Sequence, residues 1–176
     1  MFALVVMWAL NSFSSYLVLY YVKYIPGDYF LNNALNGIAA SASLISAMLA
    51  MKYCSMKVAL LLFYGVSFVC GGLLLALGET SGILIPLCVL GCKFGASGNF
   101  TNHYYVNVSL FPVYVASTVF GVTNIGARTA TVFAPTVAEV QAPIPMILYC
   151  LFALIGIVLT FTLRQGQDAS EGKGND

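Results

Sequence analysis

Residues 91–135 read GCKFGASGNFTNHYYVNVSLFPVYVASTVFGVTNIGARTATVFAP, and the fold class turns on how this stretch can be solvated. It holds two hydrophobic segments joined by a short Leu110-Phe111-Pro112 turn. Each segment carries one cation near its middle, Lys93 in the first and Arg128 in the second. No acid lies between Glu79 and Glu139. In water such charges are ordinary. In a bilayer each costs roughly 2.5–3.5 kcal/mol at a helix centre on insertion scales. A membrane chain keeps them when they face a wet cavity, a partner charge or a ligand.

Composition settles that this is a bilayer problem. Hydrophobic residues make up 60% of the chain and charged residues only 7%, against about 25% charged in soluble domains. The net charge of +1 offers no basic field for nucleic acid. The five cysteines are scattered, with no Cys-x-x-Cys pair and no Cys/His set that suits a metal. They read as small apolar packing residues. No nucleophile–base pair or phosphate loop appears, so neither an enzyme nor a cofactor is expected.

Six apolar runs follow, at residues 2–22, 30–51, 58–77, 83–108, 114–137 and 146–163, each near the length that crosses a bilayer. The first run is too long for a signal-peptide core and lacks a basic leader. A chain that opens inside such a run reads as starting where an upstream half should end. Residues 165–176 are polar and Gly-rich and read as a disordered cytoplasmic tail. Lys23 is the basic residue of the first, third and fifth loops; Lys52, Lys57, Arg164 and Lys173 belong to the others and the tail. The positive-inside rule then puts both termini in the cytoplasm. Gly37 with Ser41, and Gly91, Gly95 and Gly98, read as faces where helices approach closely.

Phe13, Tyr16 and Tyr20 recur at helical spacing, as an interfacial belt or as a cavity wall that stacks on a ligand. Lys93, Ser97, Thr101 and Tyr104 share one face of the fourth run; Asn99, Asn102, His103 and Asn107 form a second polar group. In the fifth run Ser117, Gly121, Asn124, Arg128, Thr131 and Pro135 form a stripe. At 1.5 Å per residue, Lys93 and Arg128 lie roughly 15–20 Å from where their runs enter, near mid-bilayer. Either an anionic or zwitterionic ligand compensates them, or a carboxylate from another polypeptide segment does. His103 reads as a hydrogen-bonded packing residue, with proton coupling as the alternative. The candidate ligand-contacting residues are Tyr16, Tyr20, Lys93, Asn99, Tyr104, Asn124 and Arg128.

Residues 90–135 resemble helices ten and eleven of the organic ion transporter family of the major facilitator superfamily. Lys93, the Leu110-Phe111-Pro112 turn, Ala127-Arg128 and Ala134-Pro135 match the pattern. Trp8, Phe13, Tyr16, Leu31-Asn32 and Gly37 resemble helices seven and eight. Ser109 stands where the family has the acid of Glu-Leu-x-Pro, and Ala40 where helix eight often has an acid. Residues 52–57 lack the Gly-Arg-Arg pattern, and 162–165 lack the Leu-Pro-Glu-Thr signature, which puts the family's gating network in doubt.

The resemblance implies an all-α membrane protein, six transmembrane helices forming one half of a major facilitator superfamily transporter over residues 1–164. It implies plasma-membrane alternating access around a midplane site shared with a missing N-terminal half or a second copy. In the resembling family an Arg at this helix-eleven position goes with anion- and zwitterion-carrying members. The expected substrate is therefore a small organic anion or a carnitine-like zwitterion. The rival reading is a non-transporting interaction protein that packs against a partner in the membrane.

Overall fold

The computed structural model describes residues 2–24, 29–77, 84–140 and 143–162. The Pro-Gly and Gly-Glu-Thr-Ser-Gly loops, Arg164 and the C-terminal tail lie outside them. Apolar runs without acids become helices: α1 Phe2–Tyr21, α2 Tyr29–Tyr53, α3 Met56–Leu77, α4 Leu84–Leu110, α5 Val113–Thr131, a short α6 Ala134–Ala138, and α7 Ile144–Thr162. A 3-10 turn, Val22–Tyr24, extends α1. Of these helices, four stretches are long and apolar enough to cross a membrane: Ala3–Tyr24, Tyr29–Tyr53, Met56–Ala76 and Ile144–Phe161. α4 and α5 have the length but carry the polar residues that lower their apolar character.

The structure divides the run expected at 114–137. α5 stops at Thr131 and α6 restarts at Ala134, with Pro135 in its first turn. The cause is local. Pro135 has no N–H for the carbonyl of Thr131, so the ladder breaks one turn before it. Phe133 N–H closes a tighter turn on Ala130 O at 3.2 Å. Arg128 therefore occupies the last turn of α5 rather than the middle of a continuous helix. There its charge meets the negative end of the helix dipole.

α4 packs against α3, α2 and α1, while α1 also packs against α5, α6 and α7. The α3–α4 contact is close because α4 presents glycines. A Cβ on Gly95 would sit 2.7 Å from Phe63 O, and one on Gly98 would collide with the Phe63 ring. The Gly37/Ser41 face differs from expectation. Nothing lies within 4 Å of a Cβ at Gly37, and the Ser41 hydroxyl donates back to Gly37 O of its own turn at 3.0 Å. α2 leans on α4 through another face and leaves this one open.

Buried residues gather in two clusters. One joins Leu17 and Val18 of α1 to Val89 and Cys92 of α4 and Tyr149 of α7. The other joins Leu4 and Met7 to Leu60, Tyr64 and Val106. The outward faces of α2, α3 and α7 expose Ile38, Ile45, Val69, Val158 and Phe161. Apolar faces this extensive need lipid or protein over them. All five cysteines are free, and Cys88, Cys92 and Cys150 are buried.

Candidate functional site

The site begins with how α4 is held. Tyr149 Oη donates to Cys92 O at 2.8 Å, and Asn11 Nδ2 donates to Ala96 O at 3.2 Å. These two bonds, from α7 and α1, bracket Lys93 and fix the rotation of its helix. The Lys93 side chain, half-buried, reaches across to α1. Its ammonium lies 3.4 Å from both Ser15 O and Ser15 Oγ. These are long contacts for a charged donor, which prefers about 2.7–2.9 Å to an anionic oxygen.

Arg128 approaches the next residue of α1. Its Nη1 donates to Tyr16 Oη at 2.9 Å. Two cations from α4 and α5 thus meet consecutive residues, Ser15 and Tyr16. Glu139 is the only acid among the described residues, and it pairs with Lys23 at 3.1 Å. No carboxylate among the described residues therefore neutralises Lys93 or Arg128. Both are stabilised only by neutral oxygens, and each keeps donors for a further acceptor.

Beside Lys93 lies a cavity of about 330 Å³, which Arg128 borders only through Tyr16. Ser15, Tyr16 and Leu19 of α1, Ala40, Ser41 and Leu44 of α2, and Lys93, Ser97 and Phe100 of α4 line it. Its volume falls at the lower end of the range for small-ligand sites, about 300–1,000 Å³. Its chemistry is one ammonium, four hydroxyls and an apolar wall. This arrangement suits an anionic head on a small apolar body.

The structure brings together Tyr16, Lys93 and Arg128, and sets the other candidates apart. Asn124 is half-buried on α5, one turn before Arg128. Tyr20 is exposed and lies off the cavity, where Leu19 lines the wall instead. Tyr104 packs in an aromatic group, 4.8 Å from Trp8 and 5.3 Å from Phe120 between ring centroids. Asn99 is fully buried against α3. With its amide turned to suit, it donates to Leu60 O at 3.3 Å and accepts from Tyr64 N–H at 3.0 Å. Six residues beyond Lys93, it lies about 240° around the helix, so it points away from the cavity. Ser97 and Phe100, at i+4 and i+7 from Lys93, are the α4 partners that spacing alone could have picked out. Ser41 and Leu44 carried no such signal, because only packing places α2 opposite α4.

His103 is also fully buried. Its Nε2 is hydrogen-bonded to Tyr64 Oη at 2.9 Å, and its ring stacks on Trp8. Among the described residues no cluster of three His, Cys, Asp or Glu could hold a metal.

No family model matches the chain. The chain is similar to solute carrier family 22 member 4 of Mus musculus, 28% identical over 165 residues. That alignment covers 89% of this chain but 29% of the relative, so the chain spans less than a third of the relative's length. Together with the membrane-length apolar helices, the similarity points to an integral membrane protein with a distant solute-carrier relationship.

Proposed function

We propose that this chain forms part of a transporter for small organic anions or zwitterions, working by alternating access. One observation carries the reading: Lys93 and Arg128 converge on Ser15 and Tyr16 beside an open cavity, with no described carboxylate to neutralise them. A pair of cations held this way, in an apolar bundle, is stabilised when an anion arrives. Arg128 supplies a planar fork matched to a carboxylate, and Lys93 a mobile point charge. Phe100 and Leu44 supply the apolar wall for the body of the solute.

The six-helix bundle would act as the C-terminal half. A missing N-terminal six-helix half, or a second copy, would complete the site across the open faces of α2 and α5. Two elements rocking about one midplane site are what alternating access needs. Both termini would lie in the cytoplasm of the plasma membrane, as the basic loops suggest.

The test is competitive uptake in cells that express the chain together with the portion that completes it, with surface expression confirmed. An aromatic carboxylate should compete better than a quaternary ammonium compound of similar size. Arg128→Asp should abolish carboxylate uptake. If the ammonium compound wins, or if Arg128→Ala leaves carboxylate uptake unchanged, Arg128 is a structural residue and the reading fails. A tag after Asp176 that is labelled from outside intact cells would reject the orientation.

A further inference from the structure

The cavity at Lys93 is one segment of a longer seam between α2 and α4. On α2, residues 40, 44, 48 and 51 fall at i, i+4, i+8 and i+11, so they form one stripe. On α4, residues 93, 97, 101 and 105 form another at i, i+4, i+8 and i+12. The first members of both stripes line the cavity already described. The later members line a second cavity of about 370 Å³, walled by Ala47, Met48, Met51, Lys52, Thr101 and Tyr105. In the other direction the seam is nearly shut. Between Asn32 and Asn36 of α2 and Pro86 and Leu90 of α4 only about 10 Å³ remains. The groove is therefore closed at one end and widens toward the Lys52 end.

The second cavity has the same chemistry as the first. Lys52 supplies a cation at its edge, exposed and resting 5.5 Å from the Tyr53 ring centroid. No carboxylate among the described residues pairs with it, since Glu139 is taken by Lys23. The hydroxyls of Thr101 and Tyr105 stand where Ser41 and Ser97 stand in the first cavity. Met48 and Met51 offer a soft apolar wall that adapts to solutes of different shape. From Ser41 to Lys52 is eleven residues of α2, roughly 16 Å along the helix, too far for one small solute to span.

We infer that the Lys52 cavity is a second binding station for an organic anion, on the path between the Lys93 site and the membrane face at the α2–α3 turn. This rests on the anion reading of the Lys93 site. The solute would leave Lys93 along the α2–α4 stripes, its apolar body on the methionines and its carboxylate on Lys52. A cation at the mouth of the groove also raises the local concentration of anions entering from that side. Lys52 is thus assigned a role in binding and in capture, distinct from that of Arg128.

The experiment uses the chain together with the portion that completes it, in neutral phosphatidylcholine nanodiscs, photolabelled with 4-benzoylbenzoate, a photoreactive aryl carboxylate. Peptide mapping should find label on two groups of residues, 40–44 with 97–100 and 47–52 with 101–105. Unlabelled benzoate should displace both. Lys52→Gln should cut the second group about tenfold, the loss expected for one charge-assisted contact, and spare the first. Lys52→Arg should restore it. Lys52 is exposed, so these changes leave the packing of the bundle intact. Label on the first group alone overturns the second station and leaves the anion site standing. Equal labelling of the second group by the neutral methyl ester, or in Lys52→Gln, also overturns it. So does displacement by an anionic phospholipid but not by benzoate, which would make the cavity a lipid site. No displaceable label on either group sinks the Lys93 site itself, and this inference with it.

Discussion

Two polar groups sit on α1 and α4 within a few turns of each other, and they are built in opposite ways. The first holds Ser15, Tyr16, Lys93 and Ser97 with Arg128 beside it, next to an open cavity. The second holds Trp8, Asn99, Asn102, His103 and Asn107, each fully or almost fully buried. Three members of the second group pair with protein: His103 with Tyr64, Asn107 Nδ2 with Thr123 Oγ1 at 3.2 Å, Asn99 with the α3 backbone. Trp8 Nε1 and the Asn102 amide are buried without a hydrogen-bond partner among the described residues. That group holds no Lys, Arg or carboxylate and is closed by α3 and α5. The first is cationic, has only neutral oxygens for partners and is not closed. Polar residues in an apolar helix are therefore not one signal. Those that find partners inside the bundle glue helices together. On the proposed reading, those left with spare donors beside a cavity are the ones that hold a solute.

The sharpest way to break this contrast is to open the closed side. Gly98→Leu would drive a side chain into the Phe63 ring and separate α3 from α4. The expected outcome is loss of folded protein, read as collapse of the monodisperse peak in detergent. A well-folded Gly98→Leu variant would show that the closed group does not depend on that close approach.

On the open side, Arg128→Ala should leave expression intact and lower carboxylate uptake by about tenfold or more, the loss of a bidentate charged contact. Arg128→Lys should recover only part of it, because the charge returns without the fork. Full recovery by Lys would mean that charge alone matters.

Tyr16→Phe removes the hydroxyl that holds Arg128 but keeps the ring on the cavity wall. Its effect on uptake should be smaller, about threefold, because the guanidinium stays and loses only the partner that orients it. Concentration dependence separates the roles: the change should fall on apparent affinity, with the maximal rate little altered. A loss confined to the maximal rate would argue that Tyr16 positions helices rather than the guanidinium.

The smallest effect on uptake belongs to His103→Leu. It leaves Tyr64 Oη without its partner in the closed group. The expected cost is about 1 kcal/mol of stability, within the range of about 0.6–2 kcal/mol for hydrogen bonds between membrane helices, with solute affinity unchanged. If His103→Leu shifted affinity for the carboxylate as much as Arg128→Ala, the division between open and closed groups would be wrong.

Much of this is legible in the residues alone. The scarcity of charge and the six apolar runs gave helices and a membrane, because backbone in lipid must satisfy its own hydrogen bonds. The isolated cations Lys93 and Arg128 stood out for the same reason, and their lack of nearby acids was visible in the residues. The proline at 135 was visible as well, but its consequence was not. Reading 114–137 as one run put Arg128 in mid-helix, whereas the missing N–H of Pro135 ends α5 at Thr131 and leaves Arg128 in its last turn.

What only tertiary structure decided was the assignment of faces. Helical spacing says which residues share a side, not what that side meets. Asn99 and Lys93 are both polar and six residues apart, yet α3 covers one while the other faces α1 and α2 across a cavity. Gly37 and Gly95 both looked like contact points, yet only Gly95 has a neighbour's backbone against it. The reason is physical. Composition and periodicity are properties of a helix with its solvent, and they are complete in the chain. Contact between helices depends on which surfaces fit together, and that is settled only when all of them compete for the same neighbours.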